Sequence, residues 1–112
     1  MLQHRDRICS QKIIQEISIG MDLIGDATLE QFLENEMMKR AVSMTVINIG
    51  ELIKNVTDEL RNNHREIPWK AVAGMRDITA HKYQTLRMED VFETARKDFP
   101  LLKTKLENIL SE

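Results

Sequence analysis

The chain has 112 residues, enough for one hydrophobic core, and 42% of them are hydrophobic and 30% charged, the balance of an ordinary soluble globular domain. Its net charge of −2, taken alone, argues against a nucleic-acid partner. The longest uncharged run, between Arg40 and Glu51, is far short of the roughly 20 residues of a membrane span.

Along the chain, His4 to Ile24 repeats apolar residues at Ile13, Ile17, Met21 and Ile24, the spacing of one helix face. "GDATLEQF" breaks that pattern, and Thr28 with Gln31 predicts a capping box opening a short second helix. A long third helix is expected from about Glu36 to Asn62, with Met38, Val42, Ile49, Leu52, Val56 and Leu60 inward. The methionines, Met37, Met38 and Met44 included, read mostly as helical core. Pro68 suits the first position of a fourth helix, "PWKAVAGMRDITA", with Trp69 as its core anchor. A last helix starts near Glu89 and turns Phe92, Ala95, Phe99, Leu102, Leu106 and Ile109 inward, and Pro100 is expected to remove a hydrogen bond and bend it. No segment alternates with a strand's period, so the expected fold is all-α, an antiparallel bundle of four to five helices in one domain over residues 1–112.

Much chemistry is excluded. Cys9 is the only cysteine, which leaves no internal disulfide and no cysteine zinc site; it reads as a buried small hydrophobe. Residues 1–30 show no signal-peptide pattern, so the chain reads as cytoplasmic. Gly20, Gly25, Gly50 and Gly74 never cluster into a phosphate loop, and His4, His64 and His81 lack metal-ligand spacing; no metal or cofactor is expected. Charge is unevenly spread. From Arg61 to Arg87 there are six Lys/Arg against two acids, a local +4 on an otherwise acidic chain.

Inside that basic segment stands "MRDITAHKYQTL", with Arg76, Asp77, His81 and Tyr83 within eight positions. On a continuous helix Asp77 and His81, four apart, share a face, whereas Arg76 and His81 stand about 140° apart. Spacing leaves two readings open. One is a helix C-terminus at which His81 and Lys82 meet the dipole favourably. The other is a site in which the chain, leaving its helix near Ala80, swings the imidazole back toward the guanidinium.

The segment resembles the Arg-x-x-x-x-His-x-Tyr signature of the HepT-like toxins, a branch of the HEPN superfamily. The likeness runs through "LEQFLENEMMKRAV", "INIGEL", "HREIPWKAVAGMRD" and "VFETARKDFPLL". Asp77, where Asn is common, Lys82, where a small residue is common, and Arg87, where Asp is frequent, depart from the pattern. The resemblance implies a metal-independent endoribonuclease toxin, a homodimer whose two motifs meet in one cleft. Its partner would be an MntA-like nucleotidyltransferase antitoxin that silences it by attaching AMP to Tyr83. Arg76 and His81 are then catalytic with Asp77 orienting them, and Lys70, Lys82 and Arg87 are weak RNA contacts. Rival readings are a catalytically silent helical scaffold or a nucleotide-binding partner of a nucleotidyltransferase.

Overall fold

A computed structural model of the chain describes residues 2–70, 72–73 and 87–112, and the described residues form an all-α bundle with no strand among them. Helix α1 (His4–Ile24) buries Cys9, Ile13, Ile17 and Ile24 at the predicted spacing. It stops at Gly25, whose φ of +48° lies in the left-handed region and whose N–H donates to the Met21 carbonyl. Helix α2 (Leu29–Glu34) opens with the predicted capping box: the Gln31 N–H donates to Thr28 Oγ1 at 3.1 Å and the Thr28 N–H to Gln31 Oε1 at 2.9 Å. Helix α3 (Glu36–Lys54) follows at once, capped by the Asn35 side chain.

Helices α1 and α3 run antiparallel. The Asn48 amide donates to Glu16 at 2.9 Å, and Gly20 faces Thr45. A Cβ added at Gly20 would lie 2.7 Å from Phe99 Cε2 and 3.0 Å from Thr45 Oγ1, so the absent side chain lets three helices converge.

The expected single helix from Glu36 to Asn62 is two helices. α3 ends at Lys54, and α4 (Asp58–Asn63) starts afresh from Thr57, whose Oγ1 accepts from the Leu60 N–H at 3.2 Å. The cause is Asp6, only 1% exposed. Its carboxylate accepts the Thr57 N–H at 2.8 Å and the Thr57 hydroxyl at 2.5 Å. A helix running straight through would spend that N–H on its own ladder and strand a buried charge. Val56 and Leu60 stay buried across the break, as expected, while Leu52 and Met38 are half-buried.

Two core assignments are corrected. Met37 is 83% exposed and Met44 53%, because they project from the side of α3 opposite Val42, Ile49 and Ile53. Met44 follows Val42 by two residues, which is about 200° around the helix.

The last helical run starts at Met88 as α5 (Met88–Glu93), widens into a π-helical turn at Thr94–Asp98 and continues as α6 (Phe99–Leu110). The Phe99 N–H bonds the Thr94 carbonyl, five residues back, one position before Pro100. The wider turn relieves the clash of a proline ring with the carbonyl four residues before it, so the apolar face carries on through Leu102, Leu106 and Ile109. Val91, Ala95 and Phe99 are buried, and Phe92 is half-buried against Phe32 with ring centroids 5.4 Å apart. The Arg96 guanidinium stacks 5.1 Å over Phe92 and donates to the Gly25 and Ala27 carbonyls at 2.7 and 2.5 Å, tying the α1–α2 turn to the last helix.

We predict that Asp6→Ala destabilises the fold by about 1.5–3 kcal/mol, the usual loss when hydrogen bonds to a charged group are removed. Urea denaturation should show a lower midpoint with an unchanged slope. A wild-type midpoint would mean that the break at Thr57 does not depend on the carboxylate.

Candidate functional site

Arg76, Asp77, His81, Lys82 and Tyr83, the residues that carry the predicted chemistry, lie outside the described residues, as does most of the segment expected to form the fourth helix. The structure describes the two ends of the segment that bears them.

The leading end is held by two buried anchors. After α4 the His64 carbonyl accepts the Ile67 N–H at 3.2 Å and the Trp69 indole N–H at 3.0 Å. Ile67 is 2% and Trp69 6% exposed, so the indole is the core anchor expected of it, with its polar edge satisfied. Helical backbone resumes at Trp69, and the Pro68 carbonyl accepts the Val72 N–H at 3.2 Å. Pro68 therefore stands just before the helix, which starts one position later than expected. Val72 and Ala73 are half-buried against the core. Beneath this turn the His64 ring lies between two carboxylates, Glu66 at 3.3 Å and Glu112 at 3.9 Å. Glu66 is held below the usual carboxylate range by its own backbone N–H first, then by His64, and more weakly by Lys105.

The trailing end is seated on α3. Arg87 has extended backbone, and its carbonyl accepts from Asp90 and Val91 at 3.0 and 3.4 Å to start α5. Met88 is half-buried, with its sulfur 3.9 Å from the hydroxyl of the buried Ser43 on α3. Of the three residues expected to contact RNA weakly, Lys70 and Arg87 are exposed, one at each end of the segment.

Distance along the chain hid one part of the basic surface. At the C-terminal turn of α3 the Arg61 guanidinium donates to the Ile53 carbonyl and Arg5 Nε to the Asn55 carbonyl, each at 2.6 Å. Arg5, fifty positions from Asn55, thus joins the basic segment in space. No linear charge run announces it; the only signal is a cation suited to a helix C-terminus. Among the described residues no group of three or more His, Cys, Asp or Glu side chains is placed to hold a metal ion, and no helix is long and apolar enough to cross a membrane.

The sequence model of the family described as Ribonuclease HepT-like matches residues 13–109, a span that takes in both anchored ends and the motif between them. The chain belongs to that family. A candidate RNase of Caldanaerobacter subterraneus subsp. tengcongensis is 31% identical over 102 residues, covering 91% of each chain. A probable ribonuclease HepT of Thermococcus cleftensis is 31% identical over 86% of this chain and 91% of its own. A Methanocaldococcus jannaschii protein named as a gamma-glutamylcyclotransferase and candidate RNase is 33% identical over 95% of this chain but only 48% of its own length. No solved structure matches.

The anchors of the leading end set a test. Trp69→Phe keeps most of the buried ring and loses one neutral hydrogen bond, a cost of about 1 kcal/mol. Trp69→Ala empties the anchor at about 3–5 kcal/mol. RNA cleavage per folded molecule should stay near wild type in the first variant and fall at least tenfold in the second. Equal specific activity of the two would show that the anchor does not orient the motif.

Proposed function

We propose that this HepT-like chain is a metal-independent endoribonuclease, the toxin of a toxin–antitoxin pair in the cytoplasm. The observation that carries the proposal is the family match over residues 13–109, within which the Arg-x-x-x-x-His-x-Tyr pattern stands intact from Arg76 to Tyr83.

The chemistry follows from RNA itself. Its 2′-hydroxyl attacks the adjacent phosphorus once deprotonated, and the chain breaks when the departing 5′-oxygen takes a proton. An imidazole titrates near neutrality and serves either step, and such general acid–base help gives about 10²–10⁴-fold. One His81 cannot be the unprotonated base and the protonated acid at the same moment, so two copies facing across a dimer cleft complete the site for a concerted cleavage. Arg76 grips the phosphate through two parallel N–H donors and stabilises the charge that builds in the transition state. Asp77 orients an imidazole or a guanidinium, since a carboxylate repels phosphate. Lys70, Lys82 and Arg87 add weak backbone attraction that fades with salt. Tyr83 is the regulatory handle. A phenol in water, with a reference pKa of about 10, is a poor base at neutral pH. An MntA-like nucleotidyltransferase that joined its oxygen to AMP from ATP, releasing pyrophosphate, would place a charged group two residues from His81.

Purified protein should cut RNA in EDTA and leave a 2′,3′-cyclic phosphate end, and His81→Ala should abolish the cut. Cleavage that vanishes in chelator and returns with magnesium would refute the mechanism. Tyr83→Phe should cleave like wild type yet accept no AMP from the partner enzyme with ATP, as read by the mass of the peptide spanning residue 83. AMP found on another residue, or a Phe variant still silenced by modification, would remove the role from Tyr83.

A further inference from the structure

His64 holds the leading end of the motif segment twice over. Its carbonyl accepts the N–H donors of Ile67 and of the Trp69 indole. Its ring lies between two carboxylates, with Nδ1 3.3 Å from Glu66 Oε1 and Nε2 3.9 Å from Glu112 Oε1. The side chain is only 18% exposed, so its neighbours are mainly protein atoms and not water. Ring and carbonyl belong to the one residue that closes α4, so whatever draws the ring also steadies the carbonyl on which the indole rests.

The groups that face the ring are mostly acidic. It lines a cavity of about 260 Å³ to which α1 gives Asp6 and Arg7, α4 gives Glu59, and the chain just past α6 gives Glu112. Asp6 is already bonded to Thr57. Glu66 completes the set, and Lys105 of α6 acts on it from the other side. These carboxylates outnumber Arg7 and Lys105, and they draw a positive ring more strongly than a neutral one. An imidazole titrates near neutrality, and losing its proton turns charge-assisted contacts into neutral ones of about half the strength.

We propose that His64 and Glu66 form a proton-operated clasp on the leading end of the motif segment, tight while the imidazole is charged and slack once it is neutral. The two partners set opposite limits. Glu66 is held below the usual carboxylate range, by its own backbone N–H first and then by His64. Its contribution is therefore present above about pH 4.3 and is lost as the pH falls through the lowered value. The imidazolium contributes on the acid side of its titration, and its share is lost as the pH rises between about 5 and 8. The clasp closes in mildly acidic solution and opens in alkaline solution. Glu66 also lines, with Val72, Asp98, Leu101 and Lys105, the groove of about 280 Å³ between the leading end and α6, so the closed clasp steadies one wall of that groove. For cleavage, the one consequence that rests on the ribonuclease reading, the clasp adds a pH dependence that comes from orienting the motif and not from its proton transfers.

Trp69 is the only tryptophan, so its fluorescence reports on the clasp directly. Its emission should follow a sigmoid between about pH 5 and 8 in the wild type and stay flat in His64→Gln, which keeps the carbonyl and removes the titrating ring. The exposed His4→Gln should keep the sigmoid. A double-mutant cycle of His64→Gln and Glu66→Gln, read as melting temperature, should show a coupling of about 1–4 °C near pH 6 and less than half of that near pH 9. RNA cleavage by His64→Gln should be about twofold or more below wild type near pH 6 and converge with it near pH 9. Both chains carry His81, so its own titration cancels in that ratio. A sigmoid that survives in His64→Gln, or a coupling of equal size at both pH values, would overturn the clasp. A cleavage ratio that does not move with pH would cut its link to the motif. The expected fluorescence and coupling in a protein that cuts no RNA would leave the clasp standing and overturn the ribonuclease reading instead.

Discussion

A buried carboxylate holds the corner on which the rest of the molecule turns. Asp6 sits in the first turn of α1, yet its two bonds to Thr57 decide where α3 stops and α4 starts, half the chain away. If α3 ran on, the chain would leave the bundle along the α3 axis, and Ile67 and Trp69 would have no route back to the core. With the break, α4 makes a short return and the His64 carbonyl gathers the Ile67 and Trp69 donors. The helical start at Trp69, which leads into the motif segment, thus depends on a charge-assisted contact that it never touches. Such a contact is well suited to the task, because removing one side leaves the other buried and unpaired, which makes the corner all-or-none.

What could be read from the residues alone was whatever depended on neighbours a few positions apart. The inward face of α1, the Thr28–Gln31 box and the apolar face through Phe99, Leu102, Leu106 and Ile109 are local periodicities, and they appear where expected. The break at Thr57 was hidden because Val56 and Leu60 keep the helical spacing through it. The deciding partner was fifty-one positions away. A local hint existed in Thr57 followed by two acids, a good helix start obscured by the apolar rhythm around it. Met37 and Met44 misled for a different reason. Methionine counts as apolar in any pattern, but only its angle on the helix tells core from surface, and both stand across from Val42.

The candidate site divides along the same line. Its expected chemistry rests on residue types at fixed spacing, Arg76 to His81 to Tyr83, and these lie outside the described residues. Its support is what the structure contributes: an indole and an isoleucine at one end, a methionine on Ser43 at the other. Trp69 was legible because an indole right after a proline at a helix start has few other uses. The seat of Met88 on α3 was not, since nothing in the sequence pairs positions 43 and 88.

The π-helical turn at Thr94–Asp98 links these observations, because it sits where the last helix must satisfy several demands at once. Pro100 requires room one turn upstream, Arg96 must reach back to the Gly25 and Ala27 carbonyls, and Phe99 must meet Gly20. A regular α-helix turns by a fixed 100° per residue, so three partners on different elements overdetermine it. One wider turn resets the phase within Thr94–Asp98, and Ala95 and Phe99, four positions apart, keep to the buried face through it. The same reset sets the angle at which Asp98, Leu101 and Lys105 leave the bundle beside Val72. The outward face of α6 is thereby fixed by constraints that act entirely inside the fold.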